Sequence, residues 1–163
     1  MKQNKIQYIW ALLRFGMGWI FLWAFLDKLF GLGFATAADK AWLVGGSPTF
    51  GFLKFGTSGP LSSFYQGMAG NVIIDWLFML GLLFIGLALI LGIFVRIASL
   101  IGALLMFLMW TAFLPPKHNP FLDDHIIYLI ILIGLTIRRP DQRICLGKWW
   151  ANTKLVKKYQ FLG

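Results

Sequence analysis

The chain has 163 residues, a length that suits one domain, and its composition excludes an ordinary soluble protein. Apolar residues make up 59% and charged residues only 13%, whereas soluble globular domains carry about 25% charged residues. The formal net charge of +9 fits membrane topology and contact with lipid, so we expect the lipid bilayer as a partner and no nucleic acid.

Four apolar segments predict an all-α integral membrane protein built as a four-transmembrane-helix bundle. The segment 9–26 carries one charge, Arg14, and the segments 76–95 and 97–114 carry none. Each is long enough to cross a hydrocarbon core of about 30 Å at about 1.5 Å per residue. No small-residue cleavage site ends the first segment, so we interpret it as a retained helix and not as a signal peptide. The predicted helices cover about residues 7–30, 72–94, 96–114 and 121–138.

The long segment between the first two helices, about residues 32–71, is rich in both glycine and aromatic residues. A disordered linker would not be this aromatic. Thr36 and Asp39 form a capping pattern at the start of one short helix, and Pro60 suits the first position of another. We therefore predict an ordered cap of loops and short helices at the outer membrane face.

The basic residues orient the bundle. If both chain ends lie on one side, eleven of the fifteen basic residues fall on that side, with Asp141 as its only acid. Positive charge marks the cytoplasmic face, so the sequence predicts a multi-pass protein of the cytoplasmic (inner) membrane with both termini inside. The basic tail, about residues 139–163, adds Trp149 and Trp150 to its lysines, which is typical of an interfacial helix on anionic lipid.

A polar cluster precedes the last apolar segment, in the stretch PPKHNPFLDDHIIYLI. Only residues 126–137 are free of charge in that helix, and twelve residues span about 18 Å, well short of the hydrocarbon core. One interpretation is helix capping, because Asn119 is a good N-cap, Pro120 suits the first helical position and early aspartates complement the helix dipole.

Capping does not account for the whole cluster. Two adjacent carboxylates, Asp123 and Asp124, are followed by His125 and, one turn further, by Tyr128. An ionisable residue at membrane depth is a functional hypothesis by default, because removing its charge from water is energetically unfavourable. We therefore favour a functional role over capping alone.

The first helix offers a counterpart on one stripe. At 100° per residue this stripe holds Arg14, Gly18, Phe21, Phe25 and Lys28. The alternative is a lipid-facing stripe whose two cations extend to opposite membrane surfaces. Asp27 adjoins the outer cation, and Asp75 opens the second helix, where it either complements the helix dipole or neutralises Lys28.

In a bundle with both ends inside, the outer helix ends converge and bring together eight ionisable residues: Asp27, Lys28, Asp75, Lys117, His118, Asp123, Asp124 and His125. This set suits an anion beside an acid/base group. It matches no strong metal-ligand motif, and haem ligation by His118 and His125 from one helix start is awkward, so no metal and no haem are predicted. The single cysteine, Cys145, excludes a disulfide relay, and no flavin or nucleotide fingerprint occurs.

Four stretches resemble the DoxX/DoxD family, specifically its small membrane subunit of thiosulfate:quinone oxidoreductase. They cover about residues 9–150 and read LRFGMGWIFLWAFLDKLFGLGFAT, WLVGGSPTFGFL, DWLFMLGLLFIGLALILGIFVRIA and NPFLDDHIIYLIIL. The resemblance implies oxidation of thiosulfate to tetrathionate at the outer face, with electrons delivered to membrane quinone. It also implies a second, DoxA-like subunit, which nothing in this chain resembles; a homo-oligomer is a further candidate assembly. The family pattern falls on Arg14, Asp27, Lys28, Asp75, Arg96, Asn119, Pro120, Asp123, His125 and Tyr128, and is less fixed at Asp124.

Within this resemblance we assign three groups of site residues. His125 is the expected proton donor, oriented by Asp123 or Asp124. The expected thiosulfate-binding cations are Lys28, Lys117, His118 and Arg14. The quinone headgroup is expected beside Phe21, Phe25 and Tyr128, with Asp27 and Asp75 in support.

Two other functions remain open from the sequence. One is a non-catalytic membrane scaffold that recruits a soluble redox partner, and the other is a proton-coupled carrier of small solutes. The carrier is disfavoured because the chain has no inverted repeat or pair of broken helices. A scaffold needs no charge below the headgroups, so burial of Asp123 and His125 would favour the enzyme.

Overall fold

A computed structural model describes residues 2–116, 119, 121–137 and 146–158. Within these ranges the regular elements are helical and no strand occurs, which confirms the all-α class. The α-helices are α1 (Lys2–Phe30), α2 (Ser62–Gly67), α3 (Val72–Leu91), α4 (Val95–Thr111), α5 (Asp124–Ile137), α6 (Gly147–Ala151) and α7 (Lys154–Lys158). Between α1 and α2 the chain forms 3₁₀ turns at Ala38–Lys40 and Trp42–Val44 and a π-helical turn at Phe52–Gly56.

Within the described ranges, two helices are long and apolar enough to cross a membrane, residues Lys5–Phe30 of α1 and the whole of α3. Helices α4 and α5 are apolar but shorter. Most of each long helix remains outside the core, and large apolar side chains such as Leu12, Ile73 and Leu77 are exposed. Such an exposed apolar surface is compatible with contact to lipid.

The core forms where α1 packs on α3 and α4 packs on α5, the two most extensive helix pairs among the described elements. Phe21, Ile85 and Leu132 meet there with almost no exposed surface. The stripe of α1 that carries Phe21 also carries Arg14 and Gly18, and all three are buried. The lipid-facing alternative for this stripe is therefore wrong at these positions.

Helix α1 begins earlier than predicted, at Lys2, and α4 ends earlier, at Thr111. Two further differences, at the end of α3 and the start of α5, have local reasons. Helix α3 ends at Leu91, before its predicted end at 94, because Gly92 adopts a left-handed conformation and its N–H bonds the Ala88 carbonyl. Helix α5 begins at Asp124, after its predicted start at 121. The Asn119 side chain accepts hydrogen bonds from the N–H groups of residues 121 and 122 in a turn that precedes the helix.

The cap consists of turns and one short helix. Thr36 and Asp39 do not form the predicted cap: the first 3₁₀ turn follows Ala37 and has no side-chain hydrogen bond at its start. Helix α2 follows Pro60 closely, and its Tyr65 hydroxyl bonds the Leu108 carbonyl at 3.1 Å, which ties the cap to α4.

Close packing of α1 against α3 generates a test. A Cβ atom added at Gly86 would lie 2.8 Å from the Leu22 backbone nitrogen, whereas one added at Gly81 would meet nothing within 4 Å. Gly86→Ala should therefore lower the free energy of unfolding by roughly 1–3 kcal/mol, measured by denaturant titration of helicity in detergent. Gly81→Ala should be neutral or slightly stabilising because alanine is the better helix former. Equal stability of the two variants would contradict this packing.

Candidate functional site

Two buried carboxylates hold the cap on the bundle. Asp27, at the end of α1, accepts hydrogen bonds from the backbone N–H groups of Phe34 at 3.2 Å and Ala35 at 3.0 Å. Asp75, in the first turn of α3, accepts from the Ser47 hydroxyl at 2.9 Å and from the Thr49 hydroxyl and N–H at 2.5 and 3.2 Å. Charge-assisted bonds of this kind satisfy carboxylates that would otherwise be unfavourable to bury. The predicted supporting residues therefore lie between helix and cap.

Arg14 lies at the opposite end of the bundle. Its side chain is only 3% exposed and donates hydrogen bonds to the carbonyls of Leu89 and Ile90 in the last turn of α3. A cation suits this place because the last carbonyls of a helix lack partners within the helix and carry its negative dipole end. Arg14 and Lys28 are fourteen residues apart, about 21 Å along α1, so the structure does not bring Arg14 to the outer cluster.

His125 and Asp123 form a pair at the start of α5. The His125 Nδ1 and Asp123 Oδ2 atoms are 2.8 Å apart, and the two side chains are only 23% and 17% exposed. The other carboxylate oxygen of Asp123 accepts from the Ile126 N–H and so caps α5. Asp123 therefore both caps α5 and contacts the imidazole, so the capping and the functional interpretation of the cluster both apply to it. Because Nδ1 donates to the carboxylate, Nε2 is the nitrogen left for exchange with another molecule.

The pair borders a cavity of about 600 Å³ between the start of α5 and the cap. Three aromatic rings line it, Phe52, Phe55 and Phe113, and the Phe113 ring stands edge-on to the His125 imidazole with centroids 5.1 Å apart. Asn119, Asp124 and the residues at 57 and 58 supply polar groups to the same wall. This volume is within the range of small-molecule sites, which are mostly apolar with a few placed polar groups.

Lys28 lines a second, smaller cavity of about 190 Å³ under the cap. Its walls are almost entirely apolar and come from the cap, α3 and α4. Phe52 lines both cavities, whereas Lys28 lines only the smaller one and His125 only the larger one. The sequence predicted one outer cluster, and the structure divides it in two.

The predicted quinone-binding residues lie elsewhere. Phe21 is 1% exposed and belongs to the closed core, and Phe25 and Tyr128 pack against that core. None of the three lines either cavity. Phe21 and Phe25 lie on the stripe of α1 that packs against the other helices, and Tyr128 of α5 packs on the same core. Lys117 and His118 lie outside the described residues, as does Pro120.

Sequence reasoning missed the aromatic and hydroxyl residues of the cap that form the site. The rings of Phe52 and Phe55 lie on the π-helical turn, an element often found at functional sites. Ser47 and Thr49 flank Pro48 in GGSPTF, a pattern of small hydroxyl residues in a loop that could have suggested a carboxylate partner. Among the described residues, no group of three or more histidine, cysteine or acidic side chains is arranged to hold a metal ion.

Comparison with known proteins gave no match, whether the chain was compared with protein-family models, with curated proteins or with solved structures. The chemistry of the two cavities therefore has to be argued from their own residues.

The Asp75 contacts generate a second test. Asp75→Ala removes the acceptor of three hydrogen bonds and should leave the Ser47 and Thr49 donors without their partner. We expect limited proteolysis to cut the cap, residues 32–71, several times faster than in the unaltered protein while α1 and α3 stay helical. Asp39→Ala, at an exposed position of the same cap, is the matched control and should leave the cutting rate unchanged. Equal protection of both variants would show that Asp75 does not hold the cap.

Proposed function

We propose that the chain is the membrane subunit of an oxidoreductase that oxidises thiosulfate to tetrathionate at the outer face and reduces membrane quinone. The observation that carries the proposal is the His125–Asp123 pair, largely buried on the wall of an aromatic cavity. The resemblance to the DoxX/DoxD family supplies the sulfur substrate, and the cavity supplies a proton-handling group beside flat aromatic surfaces.

The reaction needs protons where the quinone is reduced. Two thiosulfate dianions lose one electron each and join through a new sulfur–sulfur bond, while one quinone takes up both electrons and two protons to become quinol. His125 donates a proton from Nε2 to a quinone oxygen, and Asp123 holds the ring through Nδ1 and stabilises the imidazolium before transfer. Water at the outer face resupplies the protons.

The cavity of the pair suits the quinone ring better than the cavity of Lys28 does. Quinone carries two oxygens that each need a hydrogen-bond partner, and the larger cavity is lined by more than one polar side chain, including Asn119 and His125. Phe52, Phe55 and Phe113 offer faces and edges for stacking. The quinone headgroup is therefore assigned to this cavity and moved away from its predicted place beside Phe21.

The sulfur substrate approaches from the water side of the same cavity. Asp123 and Asp124 would repel a dianion, so thiosulfate needs cations close by. Lys117 and His118 precede the pair in the sequence and remain the proposed cations, with the second, DoxA-like subunit as a further source of positive charge. Thiosulfate and quinone would then meet without an intervening redox cofactor, and no metal, flavin or haem is part of the proposal.

The membrane arrangement belongs to the same proposal. Helices α1, α3, α4 and α5 cross the bilayer, the cap lies at the outer face, and α6 and α7 rest on the inner surface. Exposed lysines at 154, 157 and 158 of α7 suit anionic lipid headgroups. Since α5 has only fourteen residues, about 21 Å, its polar start at Asp124 lies below the outer headgroups under the cap.

A scaffold that recruits a soluble redox partner is the alternative. Such a protein gains nothing from a half-buried imidazole and carboxylate on a cavity wall, so the burial of His125 and Asp123 favours the enzyme. The activity test described next distinguishes the enzyme from the scaffold.

The proton path is tested by quinol formation with thiosulfate, using purified protein with and without the candidate second subunit. His125→Ala should lower turnover roughly 100-fold or more, the scale on which general acids contribute, while helicity and quinone binding persist. Asp123→Asn should give a smaller loss, because the ring keeps a hydrogen-bond partner but loses the charge. Asp39→Asn, an exposed acid on the cap, should have no effect. Full activity of His125→Ala would refute the proton path, and an inactive unaltered protein in both preparations would favour the scaffold.

The orientation is tested by thiol labelling of intact cells with a membrane-impermeant maleimide. In a Cys145→Ser background, the cap variant Lys54→Cys should be labelled from outside, because Lys54 is exposed on the cap. Cys145 of the unaltered chain should react only after the membrane is permeabilised. Labelling of both positions from the same side would contradict the proposed topology.

A further inference from the structure

The smaller cavity is lined by one charged side chain that makes no hydrogen bond among the described residues. Lys28 is half-buried at the end of α1 and lines this cavity of about 190 Å³. Among the described residues its ammonium group has no hydrogen bond and no ion pair. The neighbouring carboxylate of Asp27 accepts the N–H groups of Phe34 and Ala35 instead.

The other polar side chains of the wall are already engaged. The Thr49 hydroxyl donates to Asp75, and the Tyr65 hydroxyl lies 2.6 Å from Thr111 Oγ1 and 3.1 Å from the Leu108 carbonyl. The remaining wall is apolar, with residues such as Phe78, Leu105 and Met109. A ligand of this cavity therefore meets one cation and an otherwise apolar surface.

We infer that the Lys28 cavity binds a long-chain carboxylate, with its headgroup at the Lys28 ammonium and its first carbons in the cavity. A buried charge is stable when it is paired, and a carboxylate supplies one negative charge with both oxygens at the same end. An apolar cavity of about 150 Å³ holds a benzene molecule, so 190 Å³ accommodates about the first six carbons of an acyl chain.

Two other ligands fit less well. Thiosulfate, for which Lys28 was predicted, carries two negative charges, and one would remain uncompensated between apolar walls. A quinone ring has oxygens at opposite edges, and the cavity has only one free polar group among the described residues. The carboxylate site therefore does not depend on the proposed redox reaction and can be tested without it.

The access route favours a ligand that arrives from the bilayer. The cavity lies between the cap and the outer parts of α3 and α4, and its wall residue Leu108 is exposed on the apolar face of α4 that also presents Leu104 and Phe107. This face is the one proposed to contact lipid, so an acyl tail can extend from the cavity along α4 into the membrane.

The test measures binding of palmitate to the full-length protein in nanodiscs of neutral phospholipid, with native mass spectrometry of the released complex. Palmitate should bind with one molecule per chain, and 1-hexadecanol, which has the same chain length without the charge, should bind at least tenfold more weakly. Lys28→Met should weaken palmitate binding at least tenfold, whereas Lys40→Met, at an exposed cap position, should not change it. Equal binding of the acid and the alcohol to the unaltered protein would overturn the inference, and this comparison needs no variant.

Two competition arms identify the source of the charge. Phosphatidylglycerol in the nanodisc and a short-tailed quinone should each leave palmitate bound. Displacement by phosphatidylglycerol at equal concentration would assign the site to phospholipid, and displacement by the quinone would assign it to the redox substrate. Either result overturns the carboxylate assignment, and neither alters the expected effect of His125→Ala on turnover.

Discussion

The hydrogen bonding of Asp75 is the constraint on which the functional part of the molecule depends. Its carboxylate is buried in the first turn of α3 and fixes Ser47 and Thr49 of the cap. The chain then turns directly into the π-helical turn that carries Phe52, the residue that lines both cavities. A charged acceptor is effective here because its bonds are stronger than neutral ones and its burial makes water a poor competitor. The cap residues that line the two cavities therefore depend on the hydrogen bonds to Asp75 for their position.

At the opposite end of the bundle the charged group is a buried cation, which donates hydrogen bonds to backbone carbonyls. Arg14 on α1 bonds the Leu89 carbonyl at the end of α3, and between the two ends Gly18 and Gly86 let these helices approach closely. Helices in a membrane gain little from hydrophobic association, so close packing and hydrogen bonds hold them together. Charged residues that the sequence suggested as ligands are thus divided between structure and function. Arg14, Asp27 and Asp75 hold the fold, and the Lys28 ammonium makes no hydrogen bond among the described residues.

The helical class was predictable because long uncharged segments permit few other structures, and the sequence also placed a carboxylate partner beside His125 but did not decide between Asp123 and Asp124; the structure pairs His125 with Asp123. The division of the outer cluster into two cavities was not predictable. It depends on the Phe52 side chain, which belongs to a turn that no hydrophobic period specifies. Likewise, helical periodicity put Phe21 on the same stripe as Lys28, but only packing decides that Phe21 faces the core. The angular position of a residue on a helix does not by itself determine whether a neighbouring helix buries its side chain.

The two cavities differ in how their partly buried ionisable groups are partnered. At the larger one, the Asp123 carboxylate and the His125 Nδ1 are 2.8 Å apart and leave one imidazole nitrogen for exchange, as proton transfer requires. At the smaller one, a single cation lies beside largely apolar walls, an arrangement suited to holding an anion, because the Tyr65 hydroxyl in the same lining is already hydrogen-bonded to α4. Phe52 lines both cavities. If the smaller cavity binds an acyl carboxylate and the larger one a quinone, as proposed, both ligands would contact this one ring, so binding of either would affect the shape of the other cavity.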